Sequence, residues 1–404
     1  MLSHLFRSLR HRQFRLFYFG QLISITGTWM QNMAQAWLVY RLSHSTLLLG
    51  VVAFAAMLPV LLFGLAGGML ADRLPRRSLL ITAQLVAMTQ ALLLALLVFA
   101  GWVETWHVVV LAFVLGLVHA VEMPSRHSFL AELVPTQDLP NAIALNSSIF
   151  NLARFAGPAI AGVLVAAYGE GPVFLLNAVS FLAVLWGLLH LSAGRVAASE
   201  AAQNQWRRLR EGLDYAWENR PIRAALLLLT VGSLTAPTYT VLMPVFAHQM
   251  FAGGAGQLGL LLGTAGAGAL LAAMRLAWLG GQQHLRQNIA IAALTAGVGM
   301  VLFAHTTALL FALPLLVVLG FAITTMATSI NTLIQMQVPN QLRGRIMALF
   351  AVLFIGITSL GNLMAGYTAG HIGVTMTVTL AGMICMAAGA TYYFAQKAAG
   401  QREG

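Results

Sequence analysis

The chain has 404 residues, of which 59% are hydrophobic and only 8% charged, and its formal net charge is +11. Soluble globular chains carry about 25% charged residues, so a water-soluble domain is excluded, as are a disordered chain and a collagen-like repeat. At about 20 apolar residues per bilayer crossing, the length holds roughly a dozen membrane helices and short loops.

Twelve apolar stretches are read, at 14–40, 47–71, 78–101, 106–124, 141–167, 172–191, 222–248, 257–280, 288–304, 307–334, 345–369 and 372–394. The first follows arginines but is too long for a signal-peptide core, and no small-residue cleavage site follows it, so it counts as a span. Its Gln21, Ser24, Thr28, Gln31 and Gln35 recur at steps of three and four residues, which places them on one helical face. The second span carries Gly64-xxx-Gly68 and ends in a basic loop, Asp72-Arg73-Leu-Pro75-Arg76-Arg77. The fourth carries His119 and Glu122, one turn apart. The fifth repeats the polar stripe with Ser147, Asn151, Arg154 and Pro158, and Arg154 stands close to mid-depth.

The longest non-apolar segment, Ser192–Arg223, alternates in charge and predicts a cytoplasmic linker with an amphipathic helix lying on the membrane surface. It divides the chain into a six-helix bundle at 1–191, a linker at 192–221 and a second six-helix bundle at 222–404. In the seventh span Tyr239 lies between Pro237 and Pro244, which read as helix breaks tolerated inside a polar cavity. The eighth has Gly259-xxx-Gly263, a loose echo of the second, and small residues so spaced signal close helix packing. The tenth has Thr324, Thr328, Asn331 and Gln335, a third stripe.

With the N-terminus in the cytoplasm, nineteen of the 22 Lys and Arg residues fall in cytoplasmic segments, Arg154 and Arg275 fall within spans, and only Arg41 lies outside. That is the positive-inside pattern. Charge dealt across every second loop is topological, so no nucleic-acid partner is expected. The single Cys385 excludes an intrachain disulfide and a cysteine-cluster metal site, and the sole Lys397 excludes a P-loop. No metalloprotease or nucleophile-elbow motif and no paired acids within a span are found, which argues against an enzyme and against any cofactor.

The halves also resemble each other. Val134-Pro135, Gly157 and Gly162 recur as Val338-Pro339, Gly361 and Gly366, all at a shift of 204 residues. Repeated six-span halves are a transporter signature, with the substrate site expected near mid-membrane. The polar stripes then read either as a cavity for substrate or as helix–helix hydrogen bonding, and Arg154 as a substrate or coupling group or as one member of a buried pair.

Gly68-Met-Leu-Ala-Asp72-Arg73-Leu-Pro75-Arg76-Arg77 resembles the loop 2–3 signature of the major facilitator superfamily, with proline at 75 where that family has glycine. The stretches from Thr28 to Tyr40 and from Pro124 to Pro158, with Arg343-Gly344-Arg345, are similar to the bacterial branch of enterobactin exporters and macrolide-efflux proteins. The resemblance covers essentially the whole chain. It implies an all-α membrane protein of twelve transmembrane helices in two pseudo-symmetric bundles, and proton-coupled export of a small organic molecule, a siderophore, drug or metabolite. An importer of the same fold, or a non-transporting receptor, is the alternative. The expected setting is the bacterial inner membrane, with both termini cytoplasmic, membrane lipid around a monomer, and protons and a small-molecule substrate as partners.

Expected substrate-cavity residues are Gln31, Gln35, Asn151, Arg154, Tyr239, Thr328 and Asn331. Glu122 and His119 are the coupling candidates: Glu122 either carries protons or pairs with an arginine (Arg154, Arg76, Arg77 or Arg126), and His119 either carries protons or is merely hydrogen-bonded. Gly68, Asp72, Arg73, Arg76 and Arg77 are expected to form a conformational latch, in which Asp72 accepts hydrogen bonds from a helix end or a loop arginine.

Overall fold

The computed structural model describes residues 6–191, 205–278 and 284–403, and the regular structure among them is helical. In bilayer hydrocarbon a backbone must satisfy its own N–H and C=O groups, and long apolar runs do so as helices. The first half forms α1 (Arg12–Ser43), α2 (Thr46–Arg73), α3 (Arg76–Phe99), α4 (Thr105–Leu130), α5 (Leu139–Tyr168) and α6 (Glu170–Leu189). A linker helix, α7 (Gln205–Glu218), follows. The second half forms α8 (Arg220–Met250), α9 (Ala255–Trp278), α10 (Leu285–Ala304), α11 (Leu309–Gln337), α12 (Asn340–Ile372) and α13 (Val374–Glu403).

Among the described residues, eleven helices are long and apolar enough to cross a membrane. The twelfth expected span, α1, has 32 residues, ample length at about 1.5 Å per residue. It falls short in apolarity because Gln21, Ser24, Gln31 and Gln35 sit on its buried face. The fourth span runs further than its sequence suggested, through Pro124 to Leu130. Pro124 cannot donate to the carbonyl of Ala120, and Gly67 of α2 packs against that same carbonyl with no room for a side chain.

The helices gather into two compact units. Unit 1 comprises Met1–His44, Ala55–Ala202 and Gly253–Gly263, and unit 2 comprises Ser45–Phe54, Gln203–Ala252 and Thr264–Gly404. Each unit thus includes a short segment from the other half of the sequence. Within unit 1, Gly162 of α5 lies against Gly259 of α9, where an added Cβ would stand 2.8 Å from the Gly259 Cα. Within unit 2, Gly366 of α12 lies against Gly50 of α2, where it would stand 2.9 Å from the Gly50 Cα.

The repeat extends to backbone detail. Pro135 (φ −59°, ψ 151°) and Pro339 (φ −53°, ψ 145°) each open the element after an extended connection. Gly157 packs on Thr26–Met30 of α1, and Gly361 packs on Ser233 and Leu234 of α8. Gly169 (φ 80°) and Gly373 (φ 83°), again 204 apart, are single-residue joints between the fifth and sixth helices of each half. A side chain disfavours that left-handed backbone, so glycine is required there. The echo between Gly64-xxx-Gly68 and Gly259-xxx-Gly263 is corrected. Gly259 and Gly263 pack against α5, whereas Gly68 has nothing within 4 Å and Gly64 meets only Val60 of its own helix. Gly67 is the packing glycine of α2, because position 67 rather than 64 or 68 turns toward α4.

The first part of the expected linker, residues 192–204, lies outside the described residues. The remainder is helical as α7, and it docks rather than lying apart: Glu211 pairs with Arg345 of α12, and Gly212 lies against Arg345.

Candidate functional site

In unit 1 the α1 stripe faces into the bundle. Gln31 is fully buried; its Nε2 donates to Gln90 Oε1 of α3 at 3.0 Å, and its Oε1 accepts from Asn177 Nδ2 of α6 at 2.8 Å. Ser180 Oγ extends the chain by donating to Asn177 Oδ1 at 3.1 Å. Gln31 therefore ties three helices together. Gln35 is buried with its Oε1 unpartnered, as are Gln21 Nε2, Gln84 Oε1 and Gln90 Nε2. Orphan amides of this kind are places where water or a polar guest is favoured.

The α5 stripe is open instead. Asn151 is half-buried and donates to the Ser147 carbonyl of its own helix at 3.0 Å. Arg154 is half-buried, and its guanidinium stands 5.9 Å from the ring centre of Trp29 on α1. No ion pair involves it among the described residues. The close approach that brings α1 under Arg154 comes from Gly157, one turn on, whose Cβ position is already filled by Trp29 and Thr26. Cation–π contact is worth about 0.5–1 kcal/mol when exposed and about 2 when desolvated. It holds the side chain in place without neutralising its charge.

Glu122 pairs with its neighbour one turn along. Arg126 Nη1 lies 3.1 Å from Glu122 Oε1, both side chains are buried, and the Arg126 guanidinium stands 4.5 Å over the Phe150 ring. Of the partners open to it, Glu122 takes Arg126. His119 is half-buried, with Glu122 and Arg126 both within electrostatic reach.

The loop between α2 and α3 is only Leu74 and Pro75. Pro75 has φ −58°, so the turn needs no glycine at the position where the resembling family carries one. Arg76 pairs with Glu132. Arg77 Nε donates to the Leu188 carbonyl at 2.6 Å and its Nη2 to the Leu189 carbonyl at 3.0 Å, which caps the C-terminus of α6. Asp72 and Arg73 are exposed and make no ion pair among the described residues, and Gly68 faces open space. In this conformation the arginines, not the acid, engage neighbouring helices. Arg41, the sole arginine expected on the outer side, makes a two-pronged pair with the buried Glu170 at 2.7 and 3.1 Å.

In unit 2, α8 is interrupted where the two prolines sit. Its first helical run stops at Thr235, short turns follow over Pro237–Val241 and Met243–Val245, and a π turn closes it at Phe246–Met250. Tyr239, fully buried, sits between the breaks. On α11, Thr328 is exposed and Asn331 half-buried, the latter accepting from Gln335 Nε2. Beside them the buried hydroxyls of Thr325 and Ser329, and of Ser233 on α8, lack partners. The second half therefore has its own buried hydroxyls without partners, on α8 and α11. Arg275, in the last turn of α9, stands 5.9 Å from the Phe321 ring centre, a second arginine placed on an aromatic face.

A family model described as transmembrane secretion effector, of major facilitator type, matches residues 3–402. The chain belongs to this major facilitator family. The staphyloferrin A transporter of Staphylococcus aureus is 24% identical over 397 residues, covering 94% of this chain and 95% of that one. The multidrug efflux pump Tap of Mycolicibacterium fortuitum is 27% identical over 371 residues, covering 90% of each. A solved POT family transporter in complex with 5-aminolevulinic acid matches at TM-score 0.76 and 13% identity over 96% of each chain, which shows a shared fold. The chain is thus a multi-pass membrane transporter rather than an enzyme. In this transporter the residues that sequence reading missed are partners: Trp29 beneath Arg154, and Gln90 and Asn177 around Gln31. The available signal was a polar or aromatic residue on the facing helix, which sequence alone does not put in register.

Proposed function

We propose that the protein is a proton-coupled exporter of a small, polar or anionic organic molecule across the bacterial inner membrane. Residues 1–191 and 222–404 would rock about a central site to alternate access. The observation that carries this reading is Arg154: a mid-helix cation held on Trp29, with no carboxylate partner among the described residues. An arginine at a helix centre costs about 2.5–3.5 kcal/mol even on the lenient insertion scale, and a hydrated cavity or an anionic cargo offsets that. Asn151, Thr328 and Asn331 supply polar contacts for such a cargo; Gln31 and Tyr239, both fully buried, serve the scaffold. The name of one relative, a multidrug efflux pump, favours export over import.

Protons are the coupling ion in this reading, and His119 and Glu122 are the candidate carriers, with Glu122 already paired to Arg126. Both termini lie in the cytoplasm, and the transporter works as a monomer. Asp72, idle in this conformation, would latch the opposite one, so Asp72→Asn should slow turnover several-fold while leaving protein in the membrane. Transport by the purified protein in vesicles, under an imposed pH gradient, tests the whole reading. Accumulation of no candidate siderophore, drug or metabolite in either direction would favour the receptor alternative.

A further inference from the structure

A groove of about 550 Å³ runs between the start of α8 and the end of α13, both within unit 2. Its lining includes the apolar Leu227, Leu228, Val231 and Ala388. Its mouth carries Arg220 and Arg223. Arg286, at the start of α10, lies within electrostatic reach of the Tyr392 hydroxyl on the groove wall. None of these three arginines has a carboxylate partner among the described residues. Arg223 spends one donor on the Trp217 carbonyl at 2.8 Å, and its guanidinium stands 5.4 Å from the Trp217 ring centre. Trp217 and Phe394 are 67% and 65% exposed at the same end, as expected of aromatic side chains at a membrane–water interface.

The first half repeats the arrangement. A groove of about 320 Å³ lies between the start of α1 and the end of α6, within unit 1, with an apolar floor of Leu16, Phe19 and Ile23, and with Arg15 and Trp186 on its wall. Arg15 too has no ion pair among the described residues. In each half the groove lies between the first and last membrane helix, at the end that the positive-inside count makes cytoplasmic. An apolar channel topped by unneutralised arginines has a shape and charge complementary to a fatty chain ending in a phosphate.

We propose that the α8–α13 groove is a binding site for an anionic phospholipid, with an acyl chain on Leu227 and Val231 and the phosphate on Arg220 and Arg223. The proposal is independent of which cargo is carried, and the sidedness reading enters only in naming the leaflet.

The test is native mass spectrometry of the full-length protein, delipidated in detergent and then offered cardiolipin, phosphatidylglycerol or phosphatidylcholine in mixed micelles. Wild type should retain anionic lipid in preference to phosphatidylcholine. Removing surface arginines should weaken that retention by roughly fivefold each, so R220Q/R223Q should lose most of it. L227W fills the groove without changing charge and should also lose it. R343Q removes an exposed charge outside the groove and should bind as wild type does. Retention unaltered in both R220Q/R223Q and L227W overturns the proposal. So does displacement of the lipid by inorganic phosphate at matched concentration, because a bare phosphate site would have no use for the groove.

Discussion

Arg154 and Gln31 began as equals on polar stripes, and their surroundings separate them. Arg154 keeps its charge and partial exposure, resting on Trp29; Gln31 is fully buried and has bonds to two other helices. Arg154→Ala should therefore lower transport by tenfold or more, since about 1.4 kcal/mol of lost cargo binding is a factor of ten. Arg154→Lys should lose most of it too, because a lysine keeps the charge but not the planar fork. Normal transport by both variants, with folded protein, would make Arg154 a packing residue. Gln31→Leu should behave differently. Interhelical hydrogen bonds in membranes average about 0.6 kcal/mol, so losing two, and stranding Gln90 and Asn177, should lower stability by roughly 1–2 kcal/mol. Thermal unfolding in detergent should shift down while cargo affinity stays near wild type; the opposite pattern would return Gln31 to the site.

Helices and their joints were largely legible in the sequence, and the reasons are physical. Apolar length reveals a span, proline reveals the interruptions of α8, and a shift of 204 residues reveals the repeat down to Pro135 and Pro339. Facing partners were not legible, because helix phase decides them. Gly64 and Gly68 had the right spacing, yet the packing glycine is Gly67. The α1 stripe shares its spacing with the α5 and α11 stripes, yet it is mostly buried, while theirs is half-buried or exposed except at Pro158. A discriminating experiment follows from the glycines. Gly162→Leu and Gly366→Leu each force a side chain into a neighbouring backbone, and overpacking of this kind costs about 1–3 kcal/mol. The two should be destabilised to a similar degree, since they occupy equivalent positions of the repeat. Gly68→Ala should be within about 0.5 kcal/mol of wild type or slightly stabilised, as a helical glycine with open space around it. Chemical-denaturation midpoints would check all three, and a Gly68→Ala defect as large as the others would contradict the packing assignment.

Coupling to protons belongs to the whole molecule, because it links a titration to a change of access. The structure narrows what Glu122 can do. It lies 3.1 Å from Arg126 with both side chains buried, and the Phe150 ring covers the guanidinium on another side. A buried arginine stripped of its acid partner typically destabilises by about 3–5 kcal/mol, so Glu122 has a structural task whether or not it also carries protons. Glu122→Gln separates the two tasks, since glutamine still offers an oxygen to Arg126 but cannot take up a proton at neutral pH. Everted vesicles with an acidified lumen provide the assay, because a proton antiporter facing that way concentrates its cargo inside. If Glu122 carries the proton, the variant should exchange cargo down its own gradient yet ignore the imposed pH difference. If Glu122 only holds Arg126, the variant should lose both activities or neither. The tight pairing favours the second outcome, and pH-driven accumulation that survives in Glu122→Gln would remove Glu122 from the coupling path. His119, within reach of both charges, would then be the group to replace next. Loss of pH-driven accumulation in His119→Gln, with downhill exchange intact, would place the proton there. Survival in both variants would leave only a proton carried on the cargo itself.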